Sequence, residues 1–86
     1  MIVLPRESVE LVPVPVRVDG RLVTTGVQVT LTQGAERPTV WRDADVLDGQ
    51  TGILVDGRPV GVYEVWARVL SVPEQPVVLA GKIRIT

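Results

Sequence analysis

The chain holds few residues able to do chemistry, and their types exclude most reactions. Its 86 residues include no cysteine and no histidine. That removes thiolate nucleophiles, disulfide staples, the common zinc sites and the most used catalytic base. Ten acidic side chains remain. Asp19, Asp48 and Asp56 each precede a glycine, in dipeptides that make turns, where their work is backbone geometry. Asp43, Asp45 and Asp48 form the one local acidic cluster. On an extended strand Asp43 and Asp45 share a face, and with Asp48 they could hold a calcium ion through carboxylate oxygens. The Asp-x-Asp-x-Asp-Gly spacing of a calcium loop is missing, so a solvated face is the plainer reading. Gly57 and Gly61 flank Arg58-Pro59-Val60 with no helix to follow, which argues against a phosphate cradle. No catalytic, metal-binding or cofactor-binding residue is expected, and the chain reads as non-enzymatic.

Recognition is the remaining kind of chemistry. The aromatic residues are Trp41, Tyr63 and Trp66. Trp66 alternates onto the same strand face as Glu64 and Arg68, which points it to solvent. Trp and Arg dominate the energetics of protein interfaces, so Trp66 and Arg68 are candidate contact residues. The competing reading is that Trp66 covers the edge of a small core, stacked on a proline of the 73–76 loop. Trp41 is expected in the core. Two further candidates are the apolar opening, Met1, Ile2, Val3 and Leu4, and the prolines Pro13 and Pro15 on an exposed strand edge.

The elements that must position these residues are strands. No window sustains an apolar helical period, while several alternate with period two. Valine is abundant, and β-branched side chains suit a pleated surface. Residues 11–18 predict one strand, with Val12, Val14, Val16 and Val18 on one face. Pro13 and Pro15 delete amide donors on one lateral side, which predicts a sheet edge with one true neighbour. Asp19-Gly20 and Asp48-Gly49 predict two-residue hairpins, because both turn positions need positive φ. Strands follow at residues 27–32, 39–47 around Trp41, 52–55 and 61–70. A loop over 71–76 precedes a last strand in which Ile83 and Ile85 face inward. No tail follows Thr86, so that strand is expected inside a sheet. Residues 1–9 either fold back as a first strand or reach out as an N-terminal arm.

One domain over residues 1–86 is expected, since a chain this short has no room for a second core. About seven short strands between turn signals predict an all-β, antiparallel immunoglobulin-like β-sandwich, with a small closed β-barrel as the alternative. Tyr63, near the start of its strand, fits the tyrosine corner of such sandwiches. Nine basic and ten acidic residues give a net charge of −1, which argues against direct nucleic-acid binding. No apolar run approaches a membrane span, and the opening residues lack the pattern of a signal peptide. The chain is therefore expected to be cytosolic when made.

The opening Met1-Ile2-Val3-Leu4-Pro5-Arg6-Glu7-Ser8 resembles small virion structural proteins of tailed phages of actinobacteria. So do Val18-Asp19-Gly20, Val23-Thr24-Thr25-Gly26-Val27 and Arg37-Pro38-Thr39-Val40-Trp41. The same holds for Gly61-x-Tyr63-x-Val65-Trp66-Ala67-Arg68-Val69, Pro73-Glu74-x-Pro76-Val77-Val78 and Ala80-Gly81. The likeness covers most of the chain. It implies a minor capsid or decoration protein, or a head–tail connector or tail component. Its partners would be the major capsid protein or neighbouring virion proteins, with multiple copies per particle, and its location the virion. An adhesion module that binds carbohydrate or protein, with Trp66 and Trp41 as stacking platforms, is the reading from another class.

Overall fold

The structure, a computed structural model, describes residues 1–34, 36–70 and 76–86. The expected 71–76 loop, including Pro73, one of its two prolines considered for stacking on Trp66, lies outside the described residues except for Pro76. Among the described residues there are ten strands: β1 (Ile2–Leu4), β2 (Glu10–Pro13), β3 (Arg17–Val18), β4 (Arg21–Leu22), β5 (Val27–Gln33), β6 (Arg42–Asp43), β7 (Asp45–Leu47), β8 (Gln50–Val55), β9 (Gly61–Val69) and β10 (Val77–Ile85). The fold is all-β, as the alternating pattern demands.

Two sheets pack face to face. The larger has the order β1-β10-β9-β5-β6, and the smaller β2-β8-β7. Every neighbouring pair is antiparallel except β1 and β10, which run parallel with Ile2 opposite Ile83. In immunoglobulin terms β2, β8 and β7 take the B, E and D places, β5, β9 and β10 the C, F and G places, and β6 the added C′. The sheets do not close into a barrel. Their inner faces supply the core: Leu4, Val27, Val29, Tyr63, Val65, Ala67, Ile83 and Ile85 from one, Val12, Ile53 and Val55 from the other. Each is buried because strand alternation turns it inward.

Local chemistry sets the corners. Asp19 and Gly20 have φ of 51° and 79°, and Asp48 and Gly49 have 52° and 73°. Both pairs close two-residue hairpins, β3 with β4 and β7 with β8. The Tyr63 hydroxyl donates to the Pro59 carbonyl at 2.8 Å, forming the tyrosine corner before β9.

The expected strands differ from the observed ones at three places. The stretch 11–18 is not one strand. Val14 still donates to Thr51 across the ladder, but the chain then leaves the sheet and re-pairs as the β3–β4 hairpin, with Val18 exposed. The stretch 39–47 divides at Ala44, so that β6 belongs to the large sheet and β7 to the small one. These divisions, with the extra β1, raise the count above seven. Residues 1–9 do not form a free arm: β1 docks in the large sheet, and Thr86 donates to Leu4 while Arg6 donates to Thr86, both at 2.9 Å.

Candidate functional site

The acidic cluster does not assemble. Among the described residues no three acidic groups come together to hold a metal ion. Asp48 occupies its hairpin turn. Asp43, on β6, accepts from the Gln28 amide at 3.3 Å. Asp45 has a backbone role created by the change of sheets at Ala44. Leu54 of β8 lies two residues past the last β7 pair, Asp45 with Gly52, so its N–H and C=O have no strand to meet on that side. The Leu54 amide donates instead to Asp45 Oδ2 at 2.8 Å. Arg42 Nη2 donates to the Leu54 carbonyl at 2.9 Å and pairs with Asp45 at 3.3 Å. Two side chains thus stand in for the missing ladder. Asp45→Ala is expected to cost about 1–2 kcal/mol, because the amide loses its acceptor and Arg42 its partner. Asp45→Asn keeps an acceptor oxygen and should recover part of that loss. Urea midpoints of the two variants check this, and equal midpoints for both variants and the parent would refute it.

The outward face of the large sheet carries the aromatic and cationic candidates. The ladder sets Arg68 opposite Gln28, and Gln28 opposite Asp43. Arg68 Nε donates to Gln28 Oε1 at 2.8 Å, and the guanidinium lies 4.6 Å from the centre of the Trp41 ring. Trp41 is therefore not in the core. It is half-buried beneath Arg68, because it flanks β6 in register with outward-facing Asp43. The inward place of the C strand is filled by Val29 of β5. Trp66 faces outward and is half-buried, with its indole N–H donating to the Thr32 hydroxyl at 2.9 Å. On this face Arg68, Gln28 and Asp43 bond one another in a chain, and Trp66 bonds Thr32 separately. Arg68 covers one face of Trp41, which weakens that ring as a sugar platform.

The sheet edges separate into guarded and open ones. The strand β2 is the edge of the small sheet. Val14 points its N–H at β8, so the neighbouring Pro13 and Pro15 nitrogens point outward, where no donor is available for an added strand. Both prolines are exposed, and they serve as walls of a groove rather than as a pairing edge. At the large sheet, Met1, Ile2 and Val3 are exposed by 70%, 44% and 56%, but Leu4 is a core residue at 5% and cannot meet a partner.

Sequence reasoning missed the open edge. The short β1 covers β10 only from Ile83 to Ile85. Earlier in β10, Val77, Val78 and Leu79 are about half exposed. Val69 donates to the Pro76 carbonyl, so by alternation Val78 turns its backbone groups to β9, while Val77 and Leu79 turn theirs outward. A bulge between Leu79 and Gly81 ends this register. Beside the edge runs an apolar groove of about 320 Å³, walled by Pro13, Pro15 and Val16 and by Val78 and Ala80, with Ala67 beneath. The available signal was the uncharged run from Pro76 to Gly81, unusual for an edge.

Comparison with protein-family models, with curated proteins and with solved structures finds no match.

Proposed function

We propose that the chain is a non-enzymatic structural protein of a tailed-phage virion, a minor capsid or decoration protein that binds the major capsid protein or its neighbours. The observation that supports this most is the apolar rim of the large sheet, where Met1, Ile2 and Val3 continue toward the exposed Val77, Val78 and Leu79. Exposed apolar side chains gathered along one sheet edge, though interrupted by Lys82 and Arg84, suit a contact site on a small domain. The resemblance of its sequence blocks to phage virion proteins suggests the specific class. Many copies on one particle would let a weak contact hold through avidity. A place in the head–tail connector or tail uses the same surface and differs in copy number.

The test is quantitative mass spectrometry of purified particles. A copy number comparable to that of the shell protein supports decoration. A handful of copies, as in a symmetric ring, moves the protein to the neck or tail. Absence from particles overturns the reading and brings forward the adhesion module, which a glycan array would test. Surface variants localise the contact: Ile2→Glu with Val3→Glu is expected to lower incorporation at least about tenfold, equivalent to roughly 1.4 kcal/mol. Normal incorporation of that variant removes the rim from the interface.

A further inference from the structure

We propose that residues 77–79 of β10 pair with the same residues of a second copy, antiparallel about a two-fold axis at Val78. The inference rests on the reading of this rim as a contact surface, though not on the virion role. A two-fold at Val78 sets Val77 of one copy opposite Leu79 of the other, and the reverse. These are the residues whose backbone groups point outward. Each such pair exchanges both of its N–H and C=O groups, so all the free groups at Val77 and Leu79 become bonded.

Side chains and charge agree with that occupant. Val78 lies on the inward side, opposite Ala67 in the ladder, yet is 53% exposed because the small sheet does not reach over it. The axis brings the two Val78 side chains together at the mouth of the apolar groove. No charge lies between Pro76 and Gly81. The next residue, Lys82, stands opposite Glu64 on the outward face. The two Lys82 residues would lie roughly 25 Å apart at opposite ends of the paired strands, so like charges do not meet. Among the described residues the other sheet edges fit a second copy less well: β1 has three residues and runs into Pro5, β2 ends at Pro13 with Pro15 just beyond, β6 has two residues ending in Asp43, and β7 has three ending just before Asp48. The contact is small. About six residues a side, against the roughly 20–30 of a standard interface, place it among weak, concentration-dependent dimers.

Sedimentation velocity on the full chain, from micromolar to near-millimolar concentration, tests this. The average mass should climb toward twice the monomer mass, and amide exchange at Val77 and Leu79 should slow as it does. Val78→Lys places two ammonium groups at the axis and should weaken association at least about tenfold. Leu79→Lys, whose side chain lies on the outward face away from the axis, should weaken it less. Circular dichroism identifies folded variants. A parent chain that stays monomeric throughout overturns the inference and leaves the virion role standing. So does a folded Val78→Lys chain that associates like the parent, which would place the contact elsewhere, on an unrelated surface. A dimer that never enters particles overturns the virion role alone.

Discussion

A chain lacking residues 1–4 is expected to lose about 3–5 kcal/mol of stability. Leu4 is 5% exposed, and removing it from the core forfeits roughly 2 kcal/mol of apolar burial. The parallel ladder from Ile2 to Leu4 and the Thr86-to-Leu4 bond vanish with it, at about 0.5–1.5 kcal/mol for each bond. A chain of this length has roughly 4–13 kcal/mol in total, at about 0.05–0.15 kcal/mol per residue. The truncated protein should therefore unfold at a much lower urea concentration, and a midpoint equal to the parent's would contradict the docking of β1. The consequence reaches the functional assay. Failure of a truncated chain to enter particles would report unfolding as readily as a lost contact, so Ile2 and Val3 must be changed while Leu4 is kept.

Replacing Gly52 by alanine is expected to lower the melting temperature by roughly 10–20 °C, the equivalent of about 2–3 kcal/mol in a domain this small. A Cβ at Gly52 would sit 2.5 Å from the Val12 carbonyl oxygen and 3.1 Å from two carbons of Leu11. The first neighbour is backbone and cannot rotate away. Gly52 lies on β8, between Pro13 of β2 and Asp45 of β7, so relief requires one ladder to open. Gly20→Ala is a useful contrast. Its Cβ would meet nothing within 4 Å, and its cost comes from φ of +79° alone, about 1–2 kcal/mol. A Gly52→Ala protein melting with the parent would show that β2 and β8 slide apart freely.

The features legible in the sequence are those with local causes. Asp19-Gly20 and Asp48-Gly49 form turns because two residues suffice to set the geometry. Residues 61–69 read as a strand because Tyr63, Val65 and Ala67 alternate inward, and Tyr63 reaches back only four residues to Pro59. The edge position of β2 could be read from two prolines. What could not be read depends on partners far along the chain. Nothing around Ala44 announces a change of sheets, and from that change follow the outward turn of Trp41 and the backbone role of Asp45. Leu4 looked like surface because its cover, the inner face of the sandwich, is supplied by distant strands. The open part of β10 followed the same logic: its sequence shows apolar residues, but only the brevity of β1 leaves them uncovered.

The pairing of β1 with β10 also sets an order of events. Ile2 waits for Ile83, so the large sheet cannot gain its outer strand until residue 83 has been synthesised. Closing so long a loop comes late, after the hairpins at Asp19-Gly20 and Asp48-Gly49 have formed in roughly 1–10 μs. Domains dominated by such distant pairings fold in roughly milliseconds to seconds. Through that interval the edge of β10 has no β1 to cover it, and an uncovered strand edge is open to pairing with another chain.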